Sequence, residues 1–179
     1  MIVIDGLSEL NKDEYTRVAI GKFEGIHLGH RKLIAEMTGK EETLKNLVFT
    51  FSFSSSMAFG NNDHIYTEDE RREIFESLGV DYLVEYELNK ITAGEEPEDF
   101  VRNVLVGRLH AKEIYCGPDL SFGNKGAGNV DTIMRLSEEL SITLHVIEKE
   151  QYLGEDISST RIREALKCGN TGLADAMLK

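Results

Sequence analysis

Two histidines in a glycine-punctuated segment are the first residues whose types and spacing could do chemistry. Residues 21–30 read Gly-Lys-Phe-Glu-Gly-Ile-His-Leu-Gly-His, so Gly25 and Gly29 frame His27 and His30. Glycines let backbone amides approach a phosphate closely, and a helix that starts there adds free N–H groups and the positive end of a dipole. Imidazole donates hydrogen bonds when neutral and adds charge when protonated. The segment therefore predicts a polyphosphate site.

A second group of hydroxyl and basic residues lies far along the chain, at residues 157–163, with the sequence Ile-Ser-Ser-Thr-Arg-Ile-Arg. The hydroxyls of Ser158, Ser159 and Thr160 can cap a helix that begins there, where anions bind best. Arg163 could then grip phosphate oxygens in bidentate fashion. The other interpretation is a plain capped helix with a solvated arginine.

His27 and His30 also have two other interpretations, as metal ligands and as structural histidines. A zinc site is disfavoured because the local motif holds no third His or Cys and no paired carboxylate. The structural interpretation is weakened by the glycine framing and by the second phosphate-like motif.

Alternating strands and helices must position these motifs. Short apolar, β-branched or aromatic runs predict strands at 17–20, 47–51, 82–84, 113–116 and 142–147. Helices are expected at 31–37, after the Thr67–Glu70 capping box, from near Pro97, at about 129–140 and at 171–178. This order predicts an α/β fold: a mainly parallel sheet with helices on both faces, which binds ligands beyond the carboxyl ends of its strands.

Length and composition bound the function classes. The 179 residues fit one domain, 1–179, and 41% hydrophobic with 29% charged residues is typical of a globular chain. A net charge of −12 argues against nucleic acid as a partner. No run approaches the roughly 20 apolar residues of a membrane span, so we expect no membrane partner and no secretion. Only two cysteines favour the cytoplasm.

The paired motifs His27-Leu28-Gly29-His30 and 157–163 resemble the His-x-Gly-His and Ile-Ser-Ser-Thr-x-x-Arg signatures of the nucleotidyltransferase superfamily. Residues 21–30 and 117–123 are also similar to segments of the adenylyltransferase (FAD synthetase) module of bacterial bifunctional riboflavin kinase/FMN adenylyltransferases. The resemblance runs from the first residues to Leu178. It implies a Rossmann-like fold and transfer of AMP from ATP to FMN, which gives FAD and pyrophosphate with magnesium.

The resemblance also implies roles for particular residues. His27, His30 and Arg163 are expected to stabilise the reacting phosphates, with no metal ligand assigned. Residues expected to bind ATP are Gly21, Phe23, Gly25, Gly29, Ser158, Ser159 and Thr160. Asp119, Phe122 and Asn124 are expected to contact the flavin, although Phe122 could equally belong to the core.

The chain departs from the family pattern at several positions. Residues 52–56 read Ser-Phe-Ser-Ser-Ser where the family commonly has a Pro-His-Pro, and Lys22, Glu24 and Ser121 replace Asn, Asp and a frequent arginine. Nothing after Lys179 could make the kinase module, so FMN is expected from a separate riboflavin kinase. Two alternatives stay open: an adenylyl- or cytidylyltransferase for another phosphorylated acceptor, and a catalytically weak flavin- or nucleotide-binding protein.

Overall fold

A six-stranded parallel sheet forms the centre of the fold. The structure, a computed structural model, describes residues 1–5, 8–40, 43–54, 64–89 and 92–179. The strands lie in the order β1-β4-β3-β2-β5-β6, and all neighbours are parallel. Their bounds are β1 Ile2–Asp5, β2 Thr16–Ile20, β3 Lys45–Phe51, β4 Tyr82–Tyr86, β5 Ala111–Cys116 and β6 Thr143–Val146. The predicted α/β fold is confirmed.

The strand order places a topological switch point beside β2. From β2 the chain moves outward to β3 and β4 on one side, and it then returns to β5 and β6 on the other side of β2. Connections that leave in opposite directions open a crevice at the carboxyl ends of the strands, where α/β sheets bind ligands. The segment 21–30 follows β2 directly, so the strand order delivers the histidine motif to this crevice.

Six helices of the described ranges surround the sheet, and their ends follow local capping rules. In α2, Thr67 and Glu70 form the predicted capping box, with Glu70 N donating to Thr67 Oγ1 at 3.2 Å and Thr67 N donating to Glu70 Oε2 at 2.8 Å. A similar box with Asn129 begins α4. The helices are α1 Leu28–Thr38, α2 Glu68–Ser77, α3 (Pro97–Asp99 continued as a π-helix, Phe100–Arg108), α4 Val130–Leu140, α5 Ser159–Lys167 and α6 Thr171–Leu178.

Alternate residues of the strands face two different cores, because strand side chains alternate between the faces of a sheet. Val18 packs in one core with Leu105 of α3 and Leu136 of α4, whereas Ala19 packs in the other with Ile34 of α1. Helices therefore cover both faces, as predicted. A smaller apolar cluster joins α5 and α6 through residues such as Ile162 and Met177.

The structure adds two elements to the predicted ones. Strand β1 lies at the sheet edge with Ile2 57% exposed, and a short antiparallel hairpin joins β7, Gln151–Tyr152, to β8, Glu155–Asp156. Strand β1 was not among the predicted strands, although its first three residues are apolar and β-branched. Helix α1 also begins at Leu28, three residues before the predicted start. Among the described residues, no helix has the length and apolarity that crossing a membrane requires.

Candidate active site

A cavity of about 540 Å³ opens at the carboxyl ends of the strands, beside the switch point. Its walls come from the segment after β2, the segments after β5 and β6, and the start of α5. The cavity has two chemically different ends. The phosphate end is lined by Gly21, Lys22, Glu24, His27, Gly29, His30, Lys149, Ser158, Ser159, Thr160 and Arg163, and the aromatic end by Ile20, Phe49, Phe51, Tyr86, Phe100, Leu120 and Phe122.

The loop after β2 has a tightly constrained backbone. Phe23 and Ile26 both adopt positive φ angles, 45° and 36°, which cost non-glycine residues energy and persist only where surrounding contacts impose them. Both side chains are fully buried, Phe23 against Phe75 of α2 and His30. A Cβ on Gly21 would stand 3.1 Å from the Phe23 ring. Burial of Phe23 thus fixes the loop that carries the histidines.

The two histidines form one stacked pair at the start of α1. His27 is the N-cap residue, and its ring stacks on that of His30 with centroids 3.7 Å apart and planes 19° apart. The Nδ1 atoms of both rings are buried, and neither forms a hydrogen bond with any described residue. Buried polar atoms are normally paired, so two such atoms at a helix start indicate a ligand with oxygen atoms.

Burial also sets the charge of this pair. It lowers the pKa of His27 from 6.5 to about 4 and lowers that of His30 well below its ordinary value, with the His27 and Arg71 charges acting in the same direction on His30. The lowered pKa values favour neutral rings at pH 7, which can donate hydrogen bonds to a ligand without carrying charge. A bound phosphate would raise both pKa values.

The second motif reaches the same loop across the cavity. Ser158 caps α5, with its Oγ accepting from Arg161 N at 3.2 Å. A Cβ on Gly25 would lie 3.2 Å from Ser159 Oγ and 2.8 Å from Ile65 Cδ1, so only glycine lets the two motifs approach this closely. The structure thus brings together residues that are more than 130 positions apart in sequence.

Arg163 points from α5 toward the first motif and is already ion-paired. Its Nη1 donates to Glu24 Oε2, its Nη2 donates to Thr160 Oγ1 at 3.3 Å, and both charged side chains are largely buried. Glu24 also lies 3.7 Å from Nδ1 of His64. The predicted grip of Arg163 on phosphate must therefore share this arginine with Glu24.

Besides Lys22 and Arg163, the phosphate end contains a third cationic side chain, Lys149, which was not identified from the sequence. Lys149 follows β6 and pairs with Asp119 at 3.0 Å, and this contact raises the pKa of the lysine. Asp119 acts electrostatically on His27. Its carboxylate therefore lies within electrostatic reach of the phosphate end, and the flavin contact expected of Asp119 stays a prediction.

Five aromatic side chains line the other end of the cavity. Ring centroids lie 5.2 Å apart for Phe49 and Tyr86, 5.3 Å for Phe49 and Phe100, and 5.6 Å for Phe100 and Phe122. These separations are typical of edge-to-face and tilted aromatic contacts. Phe122 is a core residue, only 7% exposed, and its ring also lines the cavity, so its contact with the flavin stays a prediction.

The glycine-rich loop 117–128 packs against the start of α3. Gly123 has φ +71°, and a Cβ there would lie 2.8–3.0 Å from Pro97. A Cβ on Gly128 would lie 2.7 Å from Pro97 Cβ. Asn124 donates to Glu96 Oε1 at 3.1 Å and does not line the cavity. The glycines thus serve close packing, and Asn124 holds the loop in place.

The segment that replaces the family's Pro-His-Pro is described only in part, since residues 55–63, including Ser55 and Ser56, lie outside the described ranges. Phe53 stacks on His64, with centroids 3.8 Å apart, and the Arg71 guanidinium lies 4.2 Å from the Phe53 ring centroid. Arg71 is almost fully buried and donates to Thr50 Oγ1 at 2.9 Å. Thr50 in turn donates to Lys22 O at 2.7 Å, which ties this segment to the loop after β2.

Sequence reasoning missed four residues of this site: Lys149, Arg71, His64 and Glu95. None lies in a motif. Lys149 and Glu95 line the cavity, whereas Arg71 and His64 contact the lining residues Lys22 and Glu24 from behind. A lysine two residues after a predicted strand was the one available signal, since that strand end faces the ligand crevice.

Metal-binding capacity of the site is limited. Among the described residues, no three His, Cys, Asp or Glu side chains are grouped so as to hold an ion. Glu24 and Asp119 offer carboxylates at the phosphate end, and Asp119 is 70% exposed at its side chain. This donor set fits Mg²⁺ bound mainly through substrate phosphates, which is how that ion is usually held.

Comparisons with known proteins agree with the geometry. The FAD synthetase family model matches residues 9–161. Bifunctional riboflavin kinase/FMN adenylyltransferases are similar: that of Buchnera aphidicola subsp. Acyrthosiphon pisum (31% identical; 98% of this chain, 57% of the relative) and that of Bacillus subtilis (30%; 94% and 55%). The chain thus spans less than two thirds of their length.

A solved structure supports the fold independently. The crystal structure named as a macrolide-efflux protein from Streptococcus pneumoniae superposes with a TM-score of 0.85 at 24% identity, covering 99% of this chain and 60% of that chain. At this identity the similarity shows the fold alone.

Proposed function

The chain belongs to the FAD synthetase family, and from this premise we propose that it transfers AMP from ATP to the phosphate of FMN, forming FAD and pyrophosphate. One observation carries the proposal. The stacked His27–His30 pair and the Ser158–Arg163 motif converge at one end of a cavity whose other end is aromatic. An anionic polyphosphate fits the first end and a flat, apolar ring fits the second.

The reaction needs positioning more than it needs a protein nucleophile. An FMN phosphate oxygen attacks the α-phosphorus of ATP in line, a new O–P bond forms, and the bond to the bridging oxygen of pyrophosphate breaks. The attacking oxygen is already anionic, so no general base is required. Negative charge moves to the leaving pyrophosphate, and the site must stabilise that charge.

Neutral His27 and His30 donate hydrogen bonds to the α- and β-phosphates. These hydrogen bonds strengthen in the transition state, when negative charge accumulates on the phosphate oxygens. Ser158, Ser159 and Thr160, with the start of α5, hold the outer phosphates. Arg163 neutralises charge on the leaving group. Gly21, Phe23, Gly25 and Gly29 keep the loop backbone close to the nucleotide.

Magnesium remains part of the proposal. The ion would be held by phosphate oxygens together with the exposed Asp119 carboxylate, and it would supply further neutralisation of the triphosphate. Phe122 contributes to the flavin wall. Asp119 and Asn124 stay proposed flavin contacts: Asp119 lines the cavity, and Asn124 neighbours the lining residue Gly123.

We extend the proposal to the setting of the protein. Residues 1–179 act as one domain, because a single sheet spans residues 2–146 and carries the site at one edge. Both cysteines, Cys116 and Cys168, are free thiols, as expected in a reducing cytoplasm. A riboflavin kinase must supply the FMN, and no nucleic acid takes part.

The direct test is pyrophosphate release from ATP and magnesium with FMN, with riboflavin or with no acceptor, and chromatography of any flavin product. FAD that forms only with FMN supports the proposal. Pyrophosphate released with other phosphorylated acceptors but not with FMN would favour the second candidate, which the altered segment around Phe53 motivates. FMN binding without release would indicate a binding protein.

Replacement of His30 tests the mechanism. We expect His30→Ala to lower kcat by roughly 100-fold, the usual effect of removing one preorganised donor, while ATP binding weakens much less. The matched control is His145→Ala, which removes a histidine outside the cavity wall. Equal losses in kcat and in ATP affinity for His30→Ala would contradict a role confined to the transition state.

A further inference from the structure

One acidic side chain lies at the aromatic end of the cavity, where the rest of the described wall is apolar or uncharged. Glu95 lines the cavity beside Tyr86 and Phe100, just before α3 begins. Burial raises the pKa of Glu95, and the hydrogen bond from Tyr86 and the charge of Arg108 oppose this shift without cancelling it. An apolar wall does not ordinarily contain a carboxyl group, because desolvation of the group costs free energy unless a partner compensates. The position of this carboxyl group therefore indicates that it binds a ligand.

Backbone and side-chain contacts hold Glu95 in position. Its backbone N–H donates to Thr92 O at 3.3 Å, and its carbonyl accepts from Asn124 N at 2.8 Å. Tyr86 Oη donates to Glu95 Oε2 at 3.4 Å. The pKa of Tyr86 rises to about 12 through burial, so its hydroxyl keeps the proton and remains a donor. A carboxylate can accept about four hydrogen bonds, and this one contact leaves capacity for a ligand.

The chemistry of the proposed acceptor matches this arrangement. The isoalloxazine ring of FMN has flat faces that suit aromatic walls, and its pyrimidine side carries an imide N–H between two carbonyl groups. On the premise of the proposed function, we propose that Glu95 accepts a hydrogen bond from this imide N–H and thereby selects the flavin ring.

The test combines a variant with an altered ligand. Binding of FMN and of N3-methyl-FMN, which lacks the imide N–H, is measured by flavin fluorescence for the native chain, Glu95→Ala and Glu95→Gln. Loss of one hydrogen bond to a carboxylate weakens binding affinity by about tenfold or more. We expect N3-methylation to weaken binding to the native chain about tenfold and binding to Glu95→Ala hardly at all.

Further readouts separate recognition from a structural role. Glu95→Ala should weaken FMN about tenfold and leave the KM for ATP unchanged, and Glu95→Gln should lose less because its amide oxygen still accepts. The matched control is Glu98→Ala, which removes the same charge from the same segment, where Glu98 pairs with Arg135 at 2.8 Å on the surface. This control should keep native FMN affinity and the full N3-methyl penalty.

Several results would overturn the assignment. Equal N3-methyl penalties in the native chain and Glu95→Ala would do so, because recognition through Glu95 requires the two changes to be non-additive. Absence of a penalty in the native chain would do so without any variant. In both cases, FAD formation by the native chain would leave the proposed function standing. If the native chain binds no flavin and forms no FAD, both proposals fail.

Discussion

Acid should destabilise this protein through His27, and the size of the effect follows from the pKa of that residue. Burial lowers the pKa from 6.5 to about 4, and the side chain is only 7% exposed. Between these pH values the unfolded chain binds a proton that the folded chain does not bind. Stability contributed by the neutral ring is therefore complete above about pH 6.5 and decreases as the pH falls toward 4.

The magnitude follows from 1.36 kcal/mol for each pKa unit, which gives about 3 kcal/mol for the whole displacement. His27→Asn removes the titrating group and keeps a polar side chain at the N-cap, where asparagine is favoured. We expect the native chain to lose about 3 kcal/mol more than His27→Asn between pH 7 and pH 4. This difference is a large fraction of the stability of an ordinary domain.

The assay is urea unfolding followed by circular dichroism at pH 7, 6, 5 and 4, with the free energy of unfolding extrapolated at each pH. His145→Gln is the matched control, since it removes a histidine outside the cavity, and it should keep the native loss. If His27→Asn loses as much stability as the native chain over this range, the buried neutral ring is not the cause and the reasoning is refuted.

Three further predictions follow from the phosphate end. Glu24→Gln should lower the Kd for ATP severalfold, because it frees Arg163 for phosphate, and calorimetry measures this change. It should also lower the free energy of unfolding by about 1–3 kcal/mol in urea unfolding, because a largely buried cation is left unpaired; an unchanged Kd would argue against competition. Gly25→Ala should lower the melting temperature and weaken ATP binding, since its Cβ would meet Ile65 Cδ1 at 2.8 Å, whereas Gly172→Ala, which meets nothing within 4 Å, should do neither. Removal of magnesium by chelation should weaken ATP binding about tenfold in calorimetry, and equal affinity with and without the ion would contradict a metal held between ATP and the protein.

The features that sequence reasoning located are those encoded by a few adjacent residues. The Thr67–Glu70 capping box, the apolar stripe of α3 and the two phosphate motifs each depend on spacings of three to seven positions. Local backbone geometry decides such features, so the sequence predicted them without knowledge of the strand order. The edge strand β1 was not predicted although Ile2, Val3 and Ile4 are apolar and β-branched, because its place in the sheet depends on pairing with β4, which lies far along the chain.

The ion pairs inside the site could not be predicted from such local spacings. Arg163 and Glu24 are 139 positions apart, and their contact depends on α5 lying against the loop after β2. Asp119 and Lys149 form an ion pair because β5 and β6 are neighbours in the sheet. The sequence predicts both strands but not their order in the sheet. The same limitation hid Glu95, whose place at the aromatic end depends on loop 117–128 packing on the start of α3.

In the proposed reaction, the carboxylates of the phosphate end would help an acidic chain to act on the two anionic substrates ATP and FMN. Glu24 and Asp119 hold Arg163 and Lys149 in place before any substrate arrives, so the cations need little reorganisation. This arrangement lowers ground-state affinity for phosphate, because each cation must be shared with its carboxylate. The interaction strengthens when charge shifts to the leaving pyrophosphate, and it then favours the transition state over the bound substrate. Tighter ATP binding by Glu24→Gln should therefore come with a lower kcat, and a variant that improves both would show that the carboxylate only impedes the reaction.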